Sequence, residues 1–217
     1  MKLKIISFDV EGTLISHRFS ETVWEKAIPR LYSEKKGINF DSAKSFVFSE
    51  YEKIGEDRIE WYDIKYWFNR FGLTNYRNLL KQHTPEISIY PEAHQVLNEL
   101  KKYYMLIINS NSAREFLELE ISEIKSNFSH IFSAPSDFKQ TKKSTLVYSE
   151  ICKFLKVKPR EMVHIGDNWT HDFIAPREIG IMSFLLDRKK EKQGEDIVHD
   201  LNQFHRKIRE LENKLNE

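Results

Sequence analysis

Apolar positions along this chain follow two rhythms. Leu3, Ile5 and Ile6 open it as a short apolar run, and from Pro91 onward similar runs recur between amphipathic stretches. Met105 to Ile108, His130 to Phe132, Met162 to Ile165 and Ile181 to Leu186 read as buried strands. Between them lie predicted helices. Pro91 opens one that buries Val96, Leu97 and Leu100. Ser112 with Glu115 forms a capping box for the next, and Ser144 caps a third that carries Leu146, Val147, Ile151, Phe154 and Leu155. A closing helix spans Ile197 to Leu215. Continuous apolar strands separated by amphipathic helices predict an α/β fold, a doubly wound parallel sheet covered on both faces.

Residues 16–86 keep helical spacing with no buried strand between. Val23, Trp24, Ala27, Ile28, Leu31 and Tyr32 mark one helix, ended by Gly37 and kinked or divided by Pro29. A second runs from Asp41, as its cap, through Phe46, Val47 and Tyr51 to Gly55. Trp61, Tyr62, Ile64, Tyr66, Trp67, Phe68 and Phe71 mark a third before Gly72, and Tyr76 to Leu80 a fourth. The chain therefore divides into an α/β part, residues 1–15 and 87–217, and an all-helical insertion, residues 16–86. The insertion's aromatic stripe predicts a bundle core, with a minority of rings free to line a pocket facing the sheet.

Charge changes this picture little. With 34 Lys and Arg against 33 Asp and Glu, no global field points to nucleic acid or an acidic membrane as partner. The short basic run Arg188-Lys189-Lys190 reads as a solvated turn. No apolar run is long enough for a membrane helix, and Asp9 interrupts the first one too early for a signal peptide. The single cysteine, Cys152, reads as a core thiol, and a reducing cytoplasm is the expected location.

Ligands of open parallel sheets bind beyond the carboxyl ends of the strands, and here those ends are polar. The first is followed by Asp9-Val10-Glu11-Gly12-Thr13, where strand alternation places Asp9 and Glu11 on one side and Gly12 permits a sharp turn. The second ends in Ser110-Asn111, and the fourth in Gly166-Asp167-Asn168 with Asp172 close behind. Lys142-Lys143 precedes the helix after the third. His17 and Arg18 read as a solvated hinge, and His164 as a hydrogen-bonded core residue.

In that order these segments resemble the four motifs of the haloacid dehalogenase (HAD) superfamily, with Ala175, Gly180 and Ile181 fitting the continuation of the last. The resemblance implies a Rossmann-like core with a helical cap, and a Mg²⁺-dependent hydrolase of a small phosphomonoester. Asp9 would be the nucleophile, and Glu11 the proton shuttle in place of the commoner Asp. Ser110, Asn111 and Thr13 would bind the phosphoryl group. Lys142 would neutralise its charge; Lys142 is preferred to Lys143 because Tyr148 lies six residues beyond it, although Lys143 stands where the family often has proline. Asp9, the Glu11 carbonyl, Asp167 and Asp172 would hold the metal, Asp172 directly or from behind. The partner would be a small phosphorylated metabolite, and the protein a monomer or homodimer. In dehalogenases of the superfamily an aromatic residue typically takes the position of Glu11, so the carboxyl speaks against that chemistry. The rival readings are a phosphomutase or halo-acid hydrolase using the same nucleophile, and a binding module of this fold without turnover.

Overall fold

Six strands form one sheet in the order β3-β2-β1-β4-β5-β6: β1 (Ile5–Phe8), β2 (Met105–Ser110), β3 (His130–Ser133), β4 (Met162–Gly166), β5 (Met182–Leu186) and β6 (Ile197–Val198). The computed structural model describes residues 2–216. Every pairing is parallel, so the strand carboxyl ends share one edge. The inner strands β2, β1 and β4 explain why the apolar runs are continuous. Ile6, Phe8, Leu106 and Ile108 point into one core while Ile5, Ile107 and Met162 point into another on the opposite face. Strand β6 departs from the expected closing helix: Ile197 and Val198 extend the sheet beside Leu185 and Leu186.

Five helices occupy the insertion: α1 (Arg18–Thr22), α2 (Ile28–Lys36), α3 (Phe40–Ile54), α4 (Ile64–Phe71) and α5 (Tyr76–Gln82). Pro29 divides the first predicted helix as expected, with a π-helical stretch, Val23–Ala27, joining α1 to α2. Asn39, rather than Asp41, caps α3 by accepting from the Ser42 amide. The aromatic stripe packs as predicted, with Trp67, Phe68, Phe71, Tyr51 and Tyr32 buried in one apolar cluster.

The sheet is covered by α6 (Ala93–Leu100), α7 (Arg114–Glu120), α8 (Ala134–Phe138), α9 (Thr145–Leu155), α10 (Ala175–Glu178) and α11 (Leu201–Asn216). Apolar faces of α6, α7 and α11 meet one side of the sheet, and those of α9 and α10 the other. Helix α8 was not expected from the pattern. The Ser112 capping box is not formed either: α7 begins at Arg114, leaving the Ser112 hydroxyl free for a different partner.

Candidate active site

Asp9 leaves β1 with its amide bonded to the Ile165 carbonyl, so the neighbouring strand aims it at the shared edge. The chain then turns tightly, with the Val10 carbonyl accepting from the amides of Thr13, Leu14 and Ile15. Asp9 and Glu11 reach the same cavity through this turn rather than through strand alternation. Gly12 is required there. Its φ is 73°, and a Cβ would lie 2.0 Å from Asp167 Oδ2. Gly166 serves Asp172 in the same way, since a Cβ would lie 2.3 Å from its carboxyl carbon.

Lys143 corrects the expectation for Lys142. The Lys143 ammonium is 1 % exposed and donates to Asp9 Oδ1, and it lies 2.5 Å from Asp172 Oδ1. Lys142 turns outward to Glu56 at 3.0 Å and Asp57 at 3.7 Å. The difference starts in the backbone: the Lys143 amide donates to Asn111 Oδ1 at 2.7 Å, which fixes the loop and sends consecutive side chains opposite ways. Asn111 thus anchors the lysine loop through Oδ1 and also lines the cavity. Tyr148 supports the neighbouring segment that carries Asp172, its hydroxyl donating to the His171 carbonyl.

Asp172 is surrounded by donors. Burial raises its pKa, but Lys143 and the hydrogen bond from His164 outweigh burial and hold the carboxyl well below the usual range. Burial keeps His164 neutral, so its Nε2–H donates to Asp172 at 2.9 Å and its Nδ1 accepts from Ser7, the core role its sequence position predicted. Asp172 Oδ2 accepts from the Asn168 amide. With both oxygens engaged, its geometry fits holding Lys143 better than direct ligation of a metal. Asp9 behaves oppositely. Burial, joined by the charges of Asp172 and Asp167, pushes it up to about 8 against the pull of Lys143.

Asp9, Asp167 and Asp172 each bring a carboxylate oxygen within 4.8 Å of the others. Lys143 and the His17 imidazole, pushed up to about 9 by its bond to Asp167, together balance two of the three carboxylates, and burying the excess charge is costly without a further cation. Oxygen-only donors of this kind suit a hard divalent ion.

Glu11 Oε2 accepts from the Ser112 hydroxyl at 3.2 Å, while Oε1 is buried with no hydrogen-bond partner. Burial pushes this carboxyl up, which favours retention of a proton. Against it lies Glu120, 1 % exposed and raised well above the carboxylate range by burial and by the Glu11 charge. Glu120 was missed because it occupies an ordinary polar place in a helix pattern. Ser110 lines the cavity with its hydroxyl accepting from the Ser112 amide. Thr13 departs from its expected substrate contact: wholly buried, it donates to Asp9 Oδ2 at 3.4 Å and so stands behind Asp9.

Two residues read as solvated prove to be engaged. His17 lines the cavity and donates to Asp167 Oδ2 at 3.3 Å, whereas Arg18 pairs with Glu86 away from it. Arg188 turns inward from the basic run. Its guanidinium donates to the carbonyls of Gly12 and Thr13 at 3.1 and 2.7 Å, pairs with Glu92 and lies over the Tyr90 ring. Neither role leaves a spacing signal in the sequence.

The family model for haloacid dehalogenase-like hydrolases matches residues 3–180. The chain belongs to that family. Among curated relatives, glyceraldehyde 3-phosphate phosphatase of Pyrococcus furiosus is 24 % identical over 195 residues, covering 83 % of this chain and 79 % of its own. Pyrophosphatase PpaX of Bacillus thuringiensis is 25 % identical over 190 residues, with 83 % and 81 % covered. Among solved structures, a HAD phosphatase from Thermococcus onnurineus superposes with a TM-score of 0.80 at 22 % identity, covering 95 % of this chain and 98 % of that one. The α/β sheet is thus the HAD core, and the enzyme class is hydrolase.

Proposed function

We propose that this HAD hydrolase is a Mg²⁺-dependent phosphomonoesterase working through an aspartyl-phosphate on Asp9. The observation that carries the reading is the cluster of buried Asp9 and Asp172, which share Lys143, with the partly exposed Asp167, opening into a cavity that also holds Ser110 and Glu11. The names of the two curated relatives, both enzymes of phosphate compounds, support it. The carboxyl at position 11 disfavours dehalogenation.

Mg²⁺ held by Asp9, Asp167 and the Glu11 carbonyl would neutralise phosphoryl charge and polarise phosphorus. An Asp9 oxygen attacks the phosphorus, forming an O–P bond as the ester P–O bond breaks. Glu11 delivers its proton to the departing alkoxide, and its carboxylate then takes a proton from the water that attacks the phosphoryl-aspartate. That second displacement frees inorganic phosphate and restores Asp9 and the Glu11 acid. Ser110 donates to a phosphoryl oxygen, and Lys143, held by Asp172, offsets the charge of Asp9 and phosphate. Residues 16–86 act as a cap over the core formed by 1–15 and 87–217, a lid whose closure excludes water.

Phosphate release from para-nitrophenyl phosphate, with and without Mg²⁺, tests this reading. Turnover should need the metal, vanish in Asp9→Asn and fall about 10²- to 10⁴-fold in Glu11→Gln. Acid quenching should trap a phosphoryl group on Asp9. Metal-independent turnover that survives Asp9→Asn would overturn the mechanism.

A further inference from the structure

The cavity measures about 570 Å³, far beyond what a phosphoryl group fills. Its outer wall is aromatic, built by the partly exposed Trp24, Phe48, Trp61 and Tyr62 of the inserted segment with the buried Tyr51 and Trp67 behind them. Tyr51 meets Trp24, Trp61 and Trp67 edge-on, at interplanar angles of 83°, 64° and 79°. Rings set at such angles present faces in several directions, and each face carries the negative side of its quadrupole.

The unpaired charges on this wall have one sign. Glu25 and Glu52 line the cavity, both exposed, and among the described residues neither forms an ion pair with Lys, Arg or His. Lys143 is the only Lys or Arg in the lining, and Asp9 and Asp172 already engage it. His17 is directed to Asp167, and Lys142 outside the cavity is paired with Glu56 and Asp57. A substrate with a second anionic group would therefore find no free counter-charge beyond the phosphoryl site. A cationic nitrogen would find ring faces and two unpaired carboxylates.

We propose that the alcohol half of the substrate is a bulky apolar body bearing a positively charged nitrogen, seated among Trp24, Tyr51 and Trp61 with Glu25 and Glu52 facing the charge. This inference rests on the phosphatase reading and names the substrate class for it. It also sets this chain apart from relatives named for glyceraldehyde 3-phosphate and pyrophosphate, neither of which carries a cation.

Three aryl phosphates of similar reach separate the possibilities: tyramine O-phosphate, para-propylphenyl phosphate and para-carboxyethylphenyl phosphate, differing in the charge of the tail. With Mg²⁺, kcat/KM should favour the cationic ester over the neutral one about tenfold, with the anionic ester last. In Glu25→Gln/Glu52→Gln the preference should shrink to about twofold, the cationic ester losing more of its kcat/KM than the neutral one. Quenching of tryptophan fluorescence by the alcohols themselves, tyramine against para-propylphenol, reads the same preference without chemistry. Equal handling of cationic and neutral compounds, or a preference that persists in the double variant, would overturn the proposal. Preferential tyramine binding with no phosphate released from any ester would instead strike the phosphatase reading and leave the cation site standing.

Discussion

Two neighbouring lysines of identical chemistry have opposite fates, and the cause is a single backbone bond. Asn111 holds the Lys143 amide, so Lys143 enters the core beside Asp9 and Asp172 while Lys142 faces Glu56 and Asp57. Spacing to Tyr148 could not reveal this, because the deciding partner lies 32 positions away. Lys143→Met should strand two buried carboxylates, costing about 3–5 kcal/mol and nearly all turnover. Lys142→Met should stay within about 0.5 kcal/mol in a urea melt and keep its activity. Equal losses in the two variants would reject the assignment. Cys152 gives a pH test of burial at the same scale. Burial pushes its thiol up to about 11, so the reactive thiolate is scarce at pH 8. Alkylation of the native protein should be slow at pH 8 and climb with pH toward 11, whereas the unfolded chain should react through the ordinary range near 9. A native rate levelling near pH 9 would contradict it.

At the scale of elements, what the pattern made legible was which strands end in chemistry. Asp9, Ser110 and Asp167 all follow apolar runs, and a parallel sheet carries all such ends to one edge. What it hid was support that crosses between elements. Arg188 follows β5, yet its guanidinium clamps the Gly12–Thr13 turn that presents Asp9 and Glu11. In sequence it is one member of a basic run whose next residue, Lys189, is exposed. Short edge pairing was equally hidden, since Ile197 and Val198 fit a helix pattern and join the sheet only because β5 offers a free edge. Ser112 looked like a cap because caps and site residues share short hydroxyl side chains; its bond to Glu11 appears only in three dimensions. Arg188→Met should cost about 1.5–3 kcal/mol through lost charged hydrogen bonds. It should also lower kcat more than it raises KM, because the turn it holds carries Asp9 and Glu11, the groups proposed to react. Lys189→Met is the control, and a clamp variant with unchanged kcat would show that the turn stands without it.

For the whole molecule, the question is what joins the inserted helices to the sheet. Both connections pass side by side: the Ser16 amide bonds to the Ser88 carbonyl, the Tyr90 amide to Leu14, and Ile15 bridges Ile89 in antiparallel fashion. A paired crossing of this kind is a narrow waist, the place where the proposed lid would turn. Beyond the waist, the contacts are of two kinds. Lys65 pairs with Glu115 and Lys142 with Glu56, partly exposed pairs of the sort that contribute little and fade with salt. Phe116 of α7 is the main apolar contact, with Leu119 beside it; Phe116 is 3 % exposed, stacked on Trp24 at 5.2 Å and against Phe19 at 5.7 Å. Burial of one aromatic side chain is worth about 3–5 kcal/mol by truncation, so Phe116 outweighs the ion pairs in holding the cavity closed. Phe116→Ala should therefore raise hydrogen exchange in α1, α2 and the two crossing segments about tenfold or more while β1 and β4 stay protected. Raising salt on the unmodified protein should leave the same amides slow. Exchange that rose equally in β1 and β4 would mean that insertion and sheet open as one cooperative body, and a lid turning at the waist would have to be abandoned.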